Sequence, residues 1–304
     1  FSFFFFFFVV CSSDLDLPIA VAILGAFQMV GTDALEDSMV IGELGLDGRV
    51  KPVSGVLSLA AMAREKGIKR CFLPIENVAE GLVMEGVDMV GVESLGHMAG
   101  ILKGTASMEP CHAPLYRPES GRQKKDGLVY REVNGQAILR RAAEVAAAGM
   151  HGLLLTGSAG TGKTMIAKRI PTILPGLTRE EDIEISRIYS ICGLLPAGRP
   201  LLSERPFRSP HHTITARALA GGGVPPRPGE LSLASGGVLF LDELPHFSPF
   251  AVEILRQPLE ERKITVTRVS GNYEFPADFM MVAAMNLCPC GFYPDRNRCN
   301  CSEN

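Results

Sequence analysis

The sequence predicts an α/β fold: a phosphate-loop core with a parallel sheet and helices on both faces, preceded by a partial, smaller α/β domain. Three observations carry this. Gly152–Thr156, Val238–Leu241 and Phe279–Met285 are apolar runs, each followed at once by polar residues, and strands that are apolar throughout are those of a parallel sheet covered on both faces. The first run leads straight into a glycine-rich octapeptide and then a helical segment, Met165–Ile170. From Asp14 to Lys103, short apolar strands alternate with helical stretches, the grammar of an α/β layer.

Taken in order, Phe1–Val10 is a phenylalanine run with no basic flank and no initiator Met, too short to cross a bilayer. Residues 1–13 are therefore read as a tail outside the fold, an artefact of the sequence end. In residues 14–103, Met39–Leu44 reads as a strand, Asp47-Gly48 as a tight turn, and Arg49–Val53 as the returning strand of a hairpin. A helix follows over Leu57–Lys66, stopped by Gly67, and Ile68–Leu73 is the next strand, closed by Pro74. Residues 104–127 turn to Pro, Ser, Gly and charge without apolar periodicity, which marks a linker, and residues 128–304 form the core domain, opening with an Ala-rich helix over Gly135–Ala148.

The chemistry concentrates at the predicted strand ends, where ligands of parallel sheets bind. Gly157-Ser158-Ala159-Gly160-Thr161-Gly162-Lys163-Thr164 matches G-x-x-x-x-G-K-[ST]. Its glycines let backbone N–H groups turn toward phosphates, Lys163 supplies a point charge for the β- and γ-phosphates, and Thr164 offers a hydroxyl to Mg²⁺. Asp242 and Glu243 follow the second strand: Asp242 suits the Mg²⁺ shell through water, and Glu243 suits polarising the attacking water. Asn286 follows the third and is placed to contact that water or the γ-phosphate. The predicted ligands are ATP and Mg²⁺, with Lys163, Glu243 and Asn286 as the catalytic set.

A net charge of −3 gives no global sign of nucleic-acid binding. Between the motifs, however, Pro196–Ser235 carries five arginines against two glutamates. That segment fits either a loop lining a DNA-bearing pore or a solvated insertion. His211-His212 lies within it, without further ligands nearby in sequence. No stretch reaches the ~18 consecutive apolar residues of a membrane span, and no secretory signal is visible, so a cytoplasmic location is expected. Four of the eight cysteines are scattered, but Cys288-Pro-Cys290 and Cys299-Asn-Cys301 form two C-x-C pairs in a Gly/Pro/Asn-rich stretch. They fit either a four-thiolate zinc site or reduced, redox-active thiols.

Arg205-Pro-Phe-Arg-Ser-Pro-His-His212, the Gly157 loop, Val238-Leu-Phe-Leu-Asp-Glu243 and Ala284-Met-Asn-Leu-Cys-Pro-Cys-Gly291 together resemble the magnesium-chelatase-like AAA+ proteins of the YifB/ComM family, over nearly all of Asp14–Asn304. The resemblance implies a homo-oligomeric, hexameric ring ATPase acting on DNA by branch migration. It also implies that the first domain is a partial Lon-protease-type domain. Aligning Asp16–Ala20 with that family's serine motif puts Ile19 where the nucleophile belongs, and aligning Pro52–Lys69 puts Leu57 where the lysine belongs. An alkane neither attacks a carbonyl nor takes a proton, so no peptidase activity is expected. By the same resemblance, the chain is a fragment cut at both ends: the first half of the Lon-type domain precedes it, while the helical lid, the arginine finger and the sensor arginine follow Asn304. The isolated chain is expected to bind nucleotide weakly and turn over little. Two other readings stand beside the DNA motor: a metal-chelatase motor subunit, and a nucleotide-gated scaffold.

Overall fold

The computed structural model describes residues 15–111, 130–133, 135–158, 160–196, 198–268, 271–288, 290, 293, 297–299 and 301. The phenylalanine-rich tail, most of the predicted linker and Ala159 of the glycine-rich loop lie outside the described residues. The chain divides into two compact units, one holding residues 15–111 with Ser186–Leu202, the other residues 130–185 and 203–301.

The first unit runs α1 (Asp16–Ala26), β1 (Ser38–Val40), β2 (Glu43–Leu44), β3 (Val50–Lys51), α2 (Val56–Glu65), β4 (Arg70–Pro74), α3 (Val78–Gly81), β5 (Asp88–Val92) and α4 (Leu95–Leu102). β1, β4 and β5 form a parallel sheet in that order. Alternate residues of β4 and β5 face two separate cores, Phe72, Val90 and Val92 on one side and Cys71, Leu73 and Met89 on the other. The expected strand Met39–Leu44 is two strands in different sheets, because the chain must turn away where α1 packs. There Gly42 accepts a backbone hydrogen bond from Leu17, and a Cβ on Gly42 would meet Val50 Cγ1 at 2.8 Å. β2 pairs antiparallel with β3 as the tight-turn reading requires, with Gly48 at φ 80° in the left-handed region that glycine enters without strain.

The second unit runs α5 (Ala137–Gly149), β6 (Leu153–Thr156), α6 (Lys163–Ala167), α7 (Arg179–Ile191), β7 (Phe207–Arg208), α8 (Ala216–Ala220), β8 (Gly221–Gly222), β9 (Arg227–Pro228), α9 (Glu230–Leu233), β10 (Val238–Leu241), α10 (Pro249–Ile254), α11 (Arg256–Glu261), β11 (Lys263–Arg268), β12 (Gly271–Pro276) and β13 (Met280–Met285); α7 continues into the segment that groups with the first unit. The main sheet is parallel, in the order β6-β13-β10-β7. β10 is buried on both faces: Val238 and Phe240 pack with residues of α5 and α6, Leu239 and Leu241 with residues of α8, α9 and α10 and with Leu255. β6 departs from the expectation of strands covered on both sides. It is an edge strand of the described sheet, with Leu155 buried and Leu154 54% exposed.

Two local devices fix this unit. Thr178-x-x-Glu181 is a capping box for α7: the Thr178 backbone N–H donates to Glu181 Oε2 at 2.8 Å, and the Glu181 N–H donates to Thr178 Oγ1 at 3.2 Å. At the entry to β10, a Cβ on Gly237 would lie 2.0 Å from the Pro206 carbonyl oxygen, so only glycine lets β7 begin alongside β10. β11 and β12 form an antiparallel hairpin between α11 and β13.

Candidate functional site

Register brings the motifs together. β6 pairs with β13 so that Thr156 lies opposite Met285, and β10 pairs with β13 so that Leu241 lies opposite Ala283. The residues that follow these strands, Gly157, Asp242 and Asn286, therefore leave the sheet at the same edge.

The glycine-rich loop turns with Gly160 and Gly162 in left-handed conformations, φ 79° and 84°, and α6 begins at Lys163. Thr161 Oγ1 donates to the Ser158 carbonyl at 2.9 Å, and Gln136 Nε2 donates to the Thr161 carbonyl at 2.7 Å, closing the loop on itself and on the segment before α5. Lys163 Nζ donates to the carbonyls of Gly157 and Ser158, both at 2.9 Å, and to Asn286 Oδ1 at 3.1 Å. Thr164 Oγ1 donates to Asp242 Oδ2 at 2.8 Å, while Asp242 Oδ1 accepts the Glu243 backbone N–H at 3.0 Å. Thus Lys163, Thr164, Asp242 and Asn286, spread over more than a hundred residues of sequence, form one connected cluster.

Glu243 has left-handed backbone dihedrals (φ 55°, ψ 47°), a conformation that costs a residue with a Cβ about 1 kcal/mol or more. Its Oε2 lies 3.4 Å from His212 Nδ1 and 3.3 Å from His246 Nδ1. The sequence shows no further ligands near His211-His212; the fold gives His212 Glu243 and His246 from the turn after β10, and these three ligand-capable groups lie within 4.8 Å of one another. His212 also stacks against His211, with ring centroids 4.1 Å apart.

The basic segment reads differently in three dimensions. Arg205, only 9% exposed, donates from Nε to the Pro175 carbonyl and from Nη1 to the Gly236 carbonyl, both at 2.6 Å, and from Nη2 to the two carboxylate oxygens of Glu181 at 3.1 and 3.2 Å. Arg208 makes a two-pronged pair with Glu230 at 2.7 and 2.6 Å. Arg208 is thus paired with a glutamate of its own segment, and Arg205 with Glu181 outside it, so only Arg205 lowers the charge excess that suggested a DNA-facing loop. The Glu181 carboxyl is held below its ordinary range, first by the Thr178 backbone N–H and then by Arg205.

The two C-x-C pairs also come together. Cys288 Sγ lies 3.3 Å from Cys290 Sγ and 3.7 Å from Cys299 Sγ, and Cys290 and Cys299 are 3.5 Å apart. The Tyr293 backbone N–H points at Cys288 Sγ from 3.4 Å. The Cys301 backbone favours the Cys299 thiolate, but crowding by the Cys290 and Cys288 thiols outweighs it and pushes that group up to about 12. In the first unit, Ile19 is 50% exposed on α1, and Leu57 is fully buried at the start of α2 with its backbone N–H donated to Glu80 Oε1 at 2.9 Å.

Apolar parallel strands ending in a glycine-rich loop, a carboxylate pair and an asparagine define an α/β protein of the phosphate-loop class. A sequence model described as "Magnesium chelatase, subunit ChlI" matches residues 129–304, and one described as "Subunit ChlI of Mg-chelatase" matches residues 11–77. The chain belongs to this magnesium-chelatase-like AAA+ family and is of the YifB/ComM type. It is 42% identical to an uncharacterized protein of Mycobacterium tuberculosis strain H37Rv, over 90% of this chain and 54% of that protein. It is 40% identical to the uncharacterized protein YifB of Salmonella typhimurium, over 93% and 55%, and 37% identical to the competence protein ComM of Haemophilus influenzae, over 91% and 54%. The chain thus spans about half the length of the curated relatives it matches. A solved complex of the magnesium chelatase subunits BchI and BchD aligns over 57% of this chain and 60% of the other, at 19% identity and a TM-score of 0.43. Among the described residues, no helix is long and apolar enough to cross a membrane.

Proposed function

We propose that this chain is the nucleotide-binding part of an ATP-hydrolysing motor that works on DNA in the cytoplasm as a homo-oligomeric ring, a hexamer. The observation that carries the nucleotide reading is the hydrogen-bonded cluster of Lys163, Thr164, Asp242 and Asn286 at the ends of three adjacent strands. In this reading the backbone N–H groups of Gly157–Thr164 and the Lys163 ammonium hold the β- and γ-phosphates. The Thr164 hydroxyl and Asp242 carboxylate, 2.8 Å apart, are the all-oxygen donor pair that suits magnesium, with Asp242 acting through water. Magnesium, when bound, neutralises charge on the phosphate oxygens. Glu243 takes the proton of the attacking water, His212 and His246 steady its carboxylate, and Asn286 orients the water or the terminal phosphate. A neighbouring subunit supplies the arginine that completes the site.

The printed name of the competence protein relative and the remaining arginines of 196–235 support DNA as the partner. The description of the matching family supports a second reading, a chelatase-type motor with a metal-inserting partner. The test is ATP turnover by the chain extended to the full length of its relatives, with and without single-stranded or branched DNA, and with Glu243→Gln as the control. Turnover raised by DNA and abolished in the variant supports the DNA motor. Brisk turnover indifferent to every form of DNA overturns it in favour of the second reading. No turnover alongside tight nucleotide binding points to a nucleotide-gated scaffold.

A further inference from the structure

The four cysteines that follow β13 are not used by the nucleotide reading, and their geometry has its own meaning. Zinc bound by four thiolates sits about 2.3 Å from each sulfur, which places the sulfurs of a tetrahedral site about 3.8 Å apart. The measured separations are 3.3, 3.7 and 3.5 Å, and all four sulfurs lie within 4.8 Å of one another. A polynuclear iron–sulfur cluster spreads its cysteine sulfurs more widely than this. A disulfide would bring one pair to about 2.05 Å, and all four are free thiols.

The stretch is rich in Gly, Pro and Asn, and among its described residues Leu287 is 44% and Tyr293 42% exposed. Four sulfur atoms gathered in one place on such a stretch are a ligand set for a metal ion. A dication fits that set, since thiol ligands are deprotonated on coordination and the ion's charge favours the thiolates. The Tyr293 backbone N–H aimed at Cys288 Sγ is the kind of outer hydrogen bond that supports a metal-bound thiolate.

We propose that Cys288, Cys290, Cys299 and Cys301 bind a single zinc ion in a closed structural site. This clip fastens the chain two residues beyond Asn286, the residue whose carboxamide meets Lys163. The site stands independently of the DNA reading, and its test reads the metal directly.

The protein is purified under reducing conditions without chelator and assayed by elemental analysis. The expected result is about one zinc per chain, lost in the double variant Cys299→Ser with Cys301→Ser and retained in Cys111→Ser. Because the double variant risks misfolding, the unaltered protein is also titrated with a mercurial that caps thiols. Zinc should then be released in step with modification of the clustered cysteines. Replacement by cobalt(II) should give the visible spectrum of a tetrahedral tetrathiolate. The proposal is overturned by metal-free protein whose clustered thiols react at once with maleimide, by iron in place of zinc, or by a mass lowered by two hydrogens for each disulfide formed.

Discussion

In the second unit, β6, β10 and β13 end in Gly157, Asp242 and Asn286, and the polar side chains there meet one another across the sheet edge. In the first unit, β1, β4 and β5 are also parallel and paired in register, yet they run into Ile41, Ile75 and Glu93, with Ile41 buried and Ile75 turned to solvent. The positions that the Lon-type resemblance makes catalytic are the alkanes Ile19 and Leu57. Parallel strand ends thus provide only a place for a site; polar groups that the register makes adjacent provide the chemistry.

The sharpest break in this comparison is Glu243→Gln in the full-length protein. Hydrolysis should fall by about 10²- to 10⁴-fold while nucleotide binding, followed by a fluorescent analogue, is retained. An equal loss of binding would show that Glu243 shapes the pocket instead of acting on water. The opposite unit supplies the next test. Leu57→Lys restores the residue type of the resemblance but places an ammonium at a fully buried position, so it should cost about 3–5 kcal/mol in urea unfolding without creating peptidase activity. Leu57→Met should cost less than about 1.5 kcal/mol. A freely tolerated lysine would mean that the site around Leu57 admits water or a partner for the charge.

Arg205→Met should destabilise the second unit by about 2–3 kcal/mol, because it removes the charged hydrogen bonds to the Pro175 and Gly236 carbonyls and the Glu181 carboxylate. It should leave DNA affinity unchanged at constant salt; a weaker salt dependence of binding would return Arg205 to the interface. The smallest effect belongs to Glu181. Its pKa is lowered by folding, so its stabilising contribution is complete above the unfolded value and disappears as pH falls through the folded one. With the side chain 41% exposed, the loss is below about 1 kcal/mol. Urea midpoints followed from neutral pH into the carboxylate range should therefore fall slightly less steeply in Glu181→Gln.

Much of this was legible because it is local. β10 occupies the predicted Val238–Leu241, α5 starts two residues later than read, and the capping box and the glycines write themselves into short spacings. The cluster around Lys163 was legible at one remove, since apolar strands with polar ends imply a common edge. What escaped depends on contacts across long stretches of chain. Nothing near Arg205 or Arg208 in sequence announces Glu181 or Glu230 as a partner, and nothing near His212 announces His246. β11 and β12 carry the period-two alternation of a hairpin, Ile264 and Val266 inward, but with their outer faces and β12 largely solvated they lack the apolar run by which β6, β10 and β13 were found. The solvated face of β6 has a similar origin: Leu154 is as apolar as its neighbours, and only its place at the sheet edge exposes it.

Gly237 carries a lesson about selection. A methyl group there would drive into the Pro206 carbonyl, and the penalty would fall on every variant whatever the protein does with nucleotide. In a saturation screen for survival, Gly237 and Lys163 should both tolerate almost no replacement, one for want of room and the other for its charge. An intolerant position in this family therefore names a chemical role only after the space around its backbone has been measured.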